Sequence, residues 1–124
     1  MIDFKNSSFV KLKPVNYQSY SAMISPFLLD DEKIIATYQA MRDGVVFTDL
    51  RIIAINVQGL TGTKKDFTSL YYSKIQAFSI ETAGILDNDS ELDVWFSGLG
   101  NVRFEFTKGT NISAICKLIS SKVR

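Results

Sequence analysis

Ile75-Gln-Ala-Phe-Ser-Ile-Glu-Thr82, Glu91-Leu-Asp-Val-Trp-Phe-Ser97 and Asn101-Val-Arg-Phe-Glu-Phe-Thr107 alternate apolar and polar side chains with a period of two. Phe78 and Ile80 share a face; so do Leu92, Val94 and Phe96, and so do Val102, Phe104 and Phe106. The opposite faces carry Ser79 and Glu81, Asp93 and Trp95, Arg103 and Glu105. Successive side chains of a strand point to opposite sides, so this is the pattern of an antiparallel sheet buried on one face. The stretch from Gly84 to Ser90 and the run Gly98-Leu-Gly100 separate the three as turns.

Working upstream, the same rhythm of short β-type segments and turn residues extends back to Lys33. Strands are expected over 33–41, 45–48, 51–57 and 64–70, broken by Arg42-Asp-Gly44, Asp49-Leu50 and Gln58-Gly-Leu-Thr-Gly62. Leu50 is poorly suited to the positive φ that two-residue hairpin turns usually demand. Seven strands at this spacing point to a small sandwich or barrel. Downstream the period changes. Thr110 or Asn111 can cap a helix in which Ile112, Ile115, Cys116, Ile119 and Val123 fall at helical spacing. Lys117, Lys122 and Arg124 lie toward its C-terminus, where the helix dipole favours cations. Burial of those five side chains does not repay the entropy of ordering the segment alone, so the helix must dock on a folded body.

Residues 1–32 read as an N-terminal appendage, and residues 33–124 as the β-rich domain. Asn16 can start a short helix over 17–29 with Ala22, Met23, Ile24, Phe27 and Leu28 as its apolar content, and Pro26 disturbs the last turn. Asp30, Asp31 and Glu32 then read as a solvated connection.

The chain has 124 residues, a length typical of one domain that buries a real core without disulfides or metal. It carries 14 basic and 13 acidic residues, evenly spread between its halves, and lacks the basic excess of a nucleic-acid surface. An apolar content of 46% excludes a disordered chain. No apolar run is long enough to span a bilayer, and the polar N-terminus is not a signal peptide. The single cysteine, Cys116, forbids an internal disulfide and fits a reducing, cytoplasmic setting.

Catalytic chemistry finds little support. Histidine is absent, which removes the commonest general base near neutral pH, and leaves Cys116 on an apolar helix face without an activating partner. Asp87-Asn-Asp-Ser-Glu91 begins like a calcium loop, but Leu92 stands where glycine is needed and Gly98 where a bidentate glutamate is needed. Gly59-Leu-Thr-Gly62-Thr-Lys64-Lys65 has two residues between its glycines instead of the four of a phosphate loop, and a strand follows it. Both read as ordinary turns. No catalytic residue, metal site or cofactor is expected.

Asp43-Gly-Val-Val-Phe-Thr-Asp-Leu-Arg51, Gly59-Leu-Thr-Gly62, Tyr72-Ser-Lys-Ile75, Glu81-Thr-Ala-Gly84, Asp87 and Glu91-Leu-Asp-Val-Trp95 occur in that order. As an ordered set they resemble the bacterial pleckstrin-homology (PH) domain family, long catalogued as a domain of unknown function, over about residues 28–122. The resemblance implies a seven-stranded, bent antiparallel PH-like sheet or barrel capped by a C-terminal helix. It also implies a tendency to form homo-oligomeric rings, with no enzymatic activity and no established ligand. Eukaryotic relatives of the fold often bind phosphoinositides through basic residues around the first strand pair. Here Met41-Arg-Asp-Gly44 lacks that array. Lys64 and Lys65 are the candidate anion contact, contributing about 2 kcal/mol together at an anionic surface, partly offset by Asp66. A monomer would not stay on a membrane by these charges, whereas a ring would gain from repetition.

Ile34-Ile35, Val45-Val-Phe47, Ile52-Ile53 and Leu70-Tyr-Tyr72 place apolar groups on both faces of their strands. One face of a small antiparallel sheet normally meets water, so some of this surface needs a second partner. Trp95, Tyr71 and Tyr72 are the candidate interface residues of a cyclic homo-oligomer, Trp95 first because tryptophan is favoured at interface hot spots. The expected function is a non-enzymatic scaffold or protein-interaction domain that self-associates. The alternative is a peripheral module for anionic lipid surfaces.

Overall fold

The computed structural model describes residues 1–4, 9–84 and 89–123. The elements in chain order are β1 (Lys13–Pro14), α1 (Gln18–Ile24), β2 (Ile34–Ala40), β3 (Asp43–Thr48), β4 (Arg51–Gln58), β5 (Lys64–Tyr71), β6 (Ile75–Glu81), β7 (Ser90–Phe96), β8 (Gly100–Phe106) and α2 (Ile112–Val123). A five-stranded antiparallel sheet runs β1-β2-β3-β4-β5, and a three-stranded one runs β6-β7-β8. The seven strands and the C-terminal helix expected from periodicity are all present within a residue or two of their expected ends. The short β1 is an addition.

The main core lies between the sheets. Val45, Phe47, Ile52, Ala54 and Leu70 meet Leu92, Val94, Phe96, Val102, Phe104 and Phe106 there, and Ile115 and Ile119 of α2 close it. Asn111 caps α2, its Oδ1 accepting the Ala114 N–H at 3.2 Å. Of the remaining helical positions, Cys116 is half-buried and Val123 is exposed.

The doubly apolar strands have a partner inside the chain. Val46, Ile53 and Ile55 project from the outer face of the larger sheet and pack with Tyr20 and Ile24 of α1 in a second core. The alternation along β3 and β4 thus feeds two cores, one on each side of the sheet. Helix α1 is shorter than expected: beyond Ile24 the chain tightens into a 3₁₀ turn, Ser25–Phe27, where Pro26 cannot donate the next helical bond.

The segment ahead of α1 is built into the same body. Ile2, Phe9 and Leu12 are buried in the main core. Leu12 and Glu105 are joined by a Leu12 N–H bond to the Glu105 carbonyl, and the Thr107 N–H bonds the Leu12 carbonyl. Leu12 therefore bridges Phe106 in parallel while β1 pairs with β2, so this ribbon ties the outer edge of β8 to the larger sheet.

The first hairpin turns at Met41-Arg42, one or two residues earlier than expected, with Asp43 and Gly44 already paired in β3. Met41, not Leu50, takes the positive φ, at 54°. At the second hairpin the Thr48 hydroxyl accepts the N–H groups of Leu50 (3.1 Å) and Arg51 (3.0 Å), which sets the turn without a left-handed residue at Leu50.

Candidate functional site

The most elaborate polar arrangement sits where α1, the β3–β4 turn and the edge strand β5 meet. Arg51 uses all five of its N–H donors. Nε bonds Glu32 Oε2 (2.9 Å), Nη1 bonds Ser69 Oγ (3.0 Å) and the Tyr71 hydroxyl (3.3 Å), and Nη2 bonds the Phe27 carbonyl (2.7 Å) and Glu32 Oε1 (2.8 Å). The Arg51 and Glu32 side chains are only 8% and 1% exposed. Glu32 also accepts the Thr48 hydroxyl (2.7 Å) and the Leu29 N–H (3.1 Å). Burial pushes the Glu32 carboxyl up, but the bonds from Arg51, Thr48 and Leu29 overcome it and hold the group below its usual range. The bond to Glu32 raises Arg51 in turn. The connection expected to be solvated thus contains a buried ion at Glu32. A guanidinium with every donor engaged holds the fold together and would have to surrender a bond to take a ligand.

Around this buried pair lies an apolar rim. Phe27, Leu29, Leu50 and Tyr71 are 53%, 58%, 37% and 40% exposed. Each is fastened to the pair: Phe27 and Tyr71 accept from Arg51, Leu29 donates to Glu32, and Leu50 donates to the Thr48 hydroxyl that Glu32 receives. The Phe27 ring leans on Phe67, centroids 4.8 Å apart. Two shallow clefts flank the pair, one of about 390 Å³ lined by Phe27, Arg51, Ile53, Phe67 and Ser69, the other of about 170 Å³ against Leu29, Glu32 and Leu50. Among the described residues, the strand β5 beside the rim pairs in the sheet with β4 alone, and the Ile2 N–H bonds its Thr68 hydroxyl at 3.3 Å.

Tyr71, a candidate interface residue from the sequence, is exposed on this surface. Tyr72 is not: it is 1% exposed, and its hydroxyl donates to the Thr48 carbonyl at 2.8 Å. It lies in the 3₁₀ turn Tyr72–Lys74 that joins the two sheets, and this turn aims the ring into the main core. Tyr72 is therefore removed from the candidate interface. Trp95 is 38% exposed on the outer face of β7, paired across to Ala77 and Asn101. Its neighbour on that face, Asp93, is covered by Arg103 (Nε to Oδ1, 2.8 Å) and Asn101 (3.2 Å), which buries a carboxylate expected to face water. This face is tied up internally and offers Trp95 alone as an apolar anchor.

Lys64 and Lys65 open β5 at the opposite end from Tyr71, and both are exposed. Of the calcium-like loop, Asp87 and Asn88 lie outside the described residues. Asp89 bonds Lys11 at 2.9 Å, and Glu91 lies 3.7 Å from Arg103. Among the described residues no group of three or more His, Cys, Asp or Glu side chains converges as metal ligands would. None of their helices is long and apolar enough to cross a membrane.

Sequence reading missed Glu32, Phe27, Leu29 and Leu50 as one site. Their spacing carries no period; only the odd placement of Leu50 in a turn hinted at a special environment.

A family model described as the bacterial PH domain matches residues 3–123. The chain belongs to the bacterial PH domain family. Its curated relatives in Bacillus subtilis (strain 168) include the uncharacterized protein YjqA, 43% identical over 100 residues, spanning 79% of this chain and 80% of the relative. The uncharacterized protein YozO is 29% identical over 92 residues, 74% of this chain and 79% of the relative. Among solved structures, a pleckstrin-homology protein of a family of unknown function from Shewanella loihica PV-4 superposes with a TM-score of 0.81 at 35% identity, covering 93% of this chain and 99% of that one. A pleckstrin-homology domain from Shewanella amazonensis SB2B gives 0.67 at 38% identity, covering 89% and 90%. This bacterial PH domain is thus mainly β, as its residues implied: two antiparallel sheets, a C-terminal helix and a short N-terminal one.

Proposed function

We propose that this bacterial PH domain is a non-enzymatic scaffold of the cytoplasm that self-associates through the rim formed by Phe27, Leu29, Leu50 and Tyr71. The observation that carries the reading is the rim itself, four exposed apolar side chains whose backbones, or in Tyr71 the hydroxyl, are hydrogen-bonded to the network of the buried Arg51–Glu32 pair. A backbone already ordered by hydrogen bonds adds little to the entropy cost of docking, and tyrosine is enriched among residues that dominate interface energy. The edge of β5 alongside, which has no second strand partner among the described residues, supplies backbone groups for a neighbouring copy. Part of the apolar surplus that first pointed to self-association is already covered by α1, so the interface is expected at the rim more than across the strand faces. Light scattering on a size-exclusion column tests this. The expected mass is a multiple of 13.9 kDa, reduced toward the monomer by Leu50→Arg and by Tyr71→Ala. Trp95→Ala, measured in parallel, reports whether the β7 face contributes. A species of 13.9 kDa over a wide concentration range would rule the reading out.

A second reading, contact with an anionic bilayer, is supported by a separate observation. Arg42, Lys64 and Lys65 are all exposed and gather at one end of the larger sheet, the end away from the rim.

A further inference from the structure

We infer that the two turns at that end form an apolar tip that places Met41 and Leu60 in the interfacial layer of an anionic membrane, a proposal that rests on the second reading above. Leu60 and Met41 are the most exposed large apolar side chains among the described residues, at 106% and 93%. They belong to different turns, β2–β3 and β4–β5. A short bond from Arg42 Nη1 to the Gly59 carbonyl (2.6 Å) clasps the two turns together. Met41 also holds a left-handed backbone, φ 54°, which an L side chain avoids unless something else is gained. No packing within the fold accounts for either side chain.

The charges around the tip are sorted. Arg42, Lys64 and Lys65 are exposed around its base, and Thr61 and Thr63 fill the turn between. The nearby acids are half-buried and already bonded: Asp43 accepts the Val57 N–H (2.9 Å) and the Asn56 amide (3.2 Å). Asp66 accepts the Thr68 hydroxyl (2.7 Å) and lies 3.2 Å from the terminal amine. An apolar extremity above a collar of cations matches the layering of a bilayer surface, where acyl chains lie beneath anionic phosphates. Neither cleft beside the Arg51–Glu32 pair reaches these turns. Recognition on this proposal depends on surface charge and insertion depth.

The test is sedimentation of the full chain with vesicles of phosphatidylglycerol and phosphatidylcholine, and with phosphatidylcholine alone. Met41→Asn suits the left-handed backbone, and Leu60→Ser touches nothing, so both variants should melt as wild type does. Each is expected to lower partitioning onto the anionic vesicles about tenfold, equivalent to ~1.4 kcal/mol. Lys64→Glu with Lys65→Glu should abolish it. In a Trp95→Phe background, Leu60→Trp should shift its emission to the blue and be quenched by lipids brominated in their acyl chains. Binding that is lost on charge reversal but unchanged by Met41→Asn and Leu60→Ser would overturn insertion and leave the electrostatic reading standing. Equal binding to neutral vesicles would overturn the charge dependence. No binding of wild type to anionic vesicles would overturn both.

Discussion

Gly44 has no side chain because the ring of Tyr20 lies where one would be. A Cβ there would stand 2.6 Å from the ring. The same tyrosine donates its hydroxyl to the Asp43 carbonyl at 2.9 Å, so a glycine in a strand holds α1 against the sheet. Gly44→Ala should lower stability by about 1–3 kcal/mol, read as a drop in the melting midpoint. Burial, aided by the charge of Asp43, also raises the Tyr20 hydroxyl from its ordinary 10.0 to about 12. A raised value stabilises the fold fully below the unfolded pKa and loses that contribution as pH rises through the folded one. Alkaline unfolding is therefore expected between pH 10 and 12, and Tyr20→Phe should blunt it. Glu32 has the opposite sign. Its lowered carboxyl stabilises above the ordinary value of 4.5 and loses that contribution as pH falls through the folded pKa. Glu32→Gln should cost about 3–5 kcal/mol near neutrality, because it strands a buried guanidinium, and should flatten the acid limb of the stability curve. An unaltered acid limb would assign it to other carboxylates. None of this was legible in the sequence, since a glutamate within Asp30-Asp31-Glu32 is indistinguishable from a solvated one until its partner nineteen residues on is folded beside it.

At the scale of elements much more could be read. Strands β6 to β8 declared themselves because each exposes one face, and α2 because its apolar spacing changes to the helical period. Strands β3 and β4 were harder, since their doubly apolar pattern implied a cover without naming it; that cover is α1. The ribbon ahead of α1 showed no period at all. It bonds two different strands with a left-handed residue, Lys11 at φ 59°, between its pairings, so neither alternation nor helical spacing survives. Leu12→Ala should cost about 2–5 kcal/mol by emptying part of the core. Amide exchange along β8 should rise in the same variant if the ribbon is what protects that edge. Asn111→Ala should cost about 1 kcal/mol by uncapping α2. Thr110, the other capping candidate, keeps its hydroxyl buried without a hydrogen-bond partner.

For the whole molecule, two functional surfaces are proposed at opposite ends of β4: the rim at Arg51 and the tip beyond Gln58. If the assembly is cyclic, rotation about its axis keeps every tip at the same height along that axis, so all copies meet a flat surface together. Vesicle binding should then weaken severalfold when Leu50→Arg breaks the oligomer, even though the tip is untouched. The proposed self-association surface was the least legible, because an interface is a property of surfaces brought together by folding. Tyr71 and Tyr72, adjacent in the chain, end one exposed and one buried. The ribbon that binds β8 has a last consequence, for synthesis. Leu12 must wait for Glu105 to emerge from the ribosome, a delay of roughly 90 residues that lasts on the order of 5–20 s at about 5–20 residues per second. The ribbon is made well before the strand it joins, and, until that strand arrives, its apolar side chains are open to whatever the nascent chain encounters.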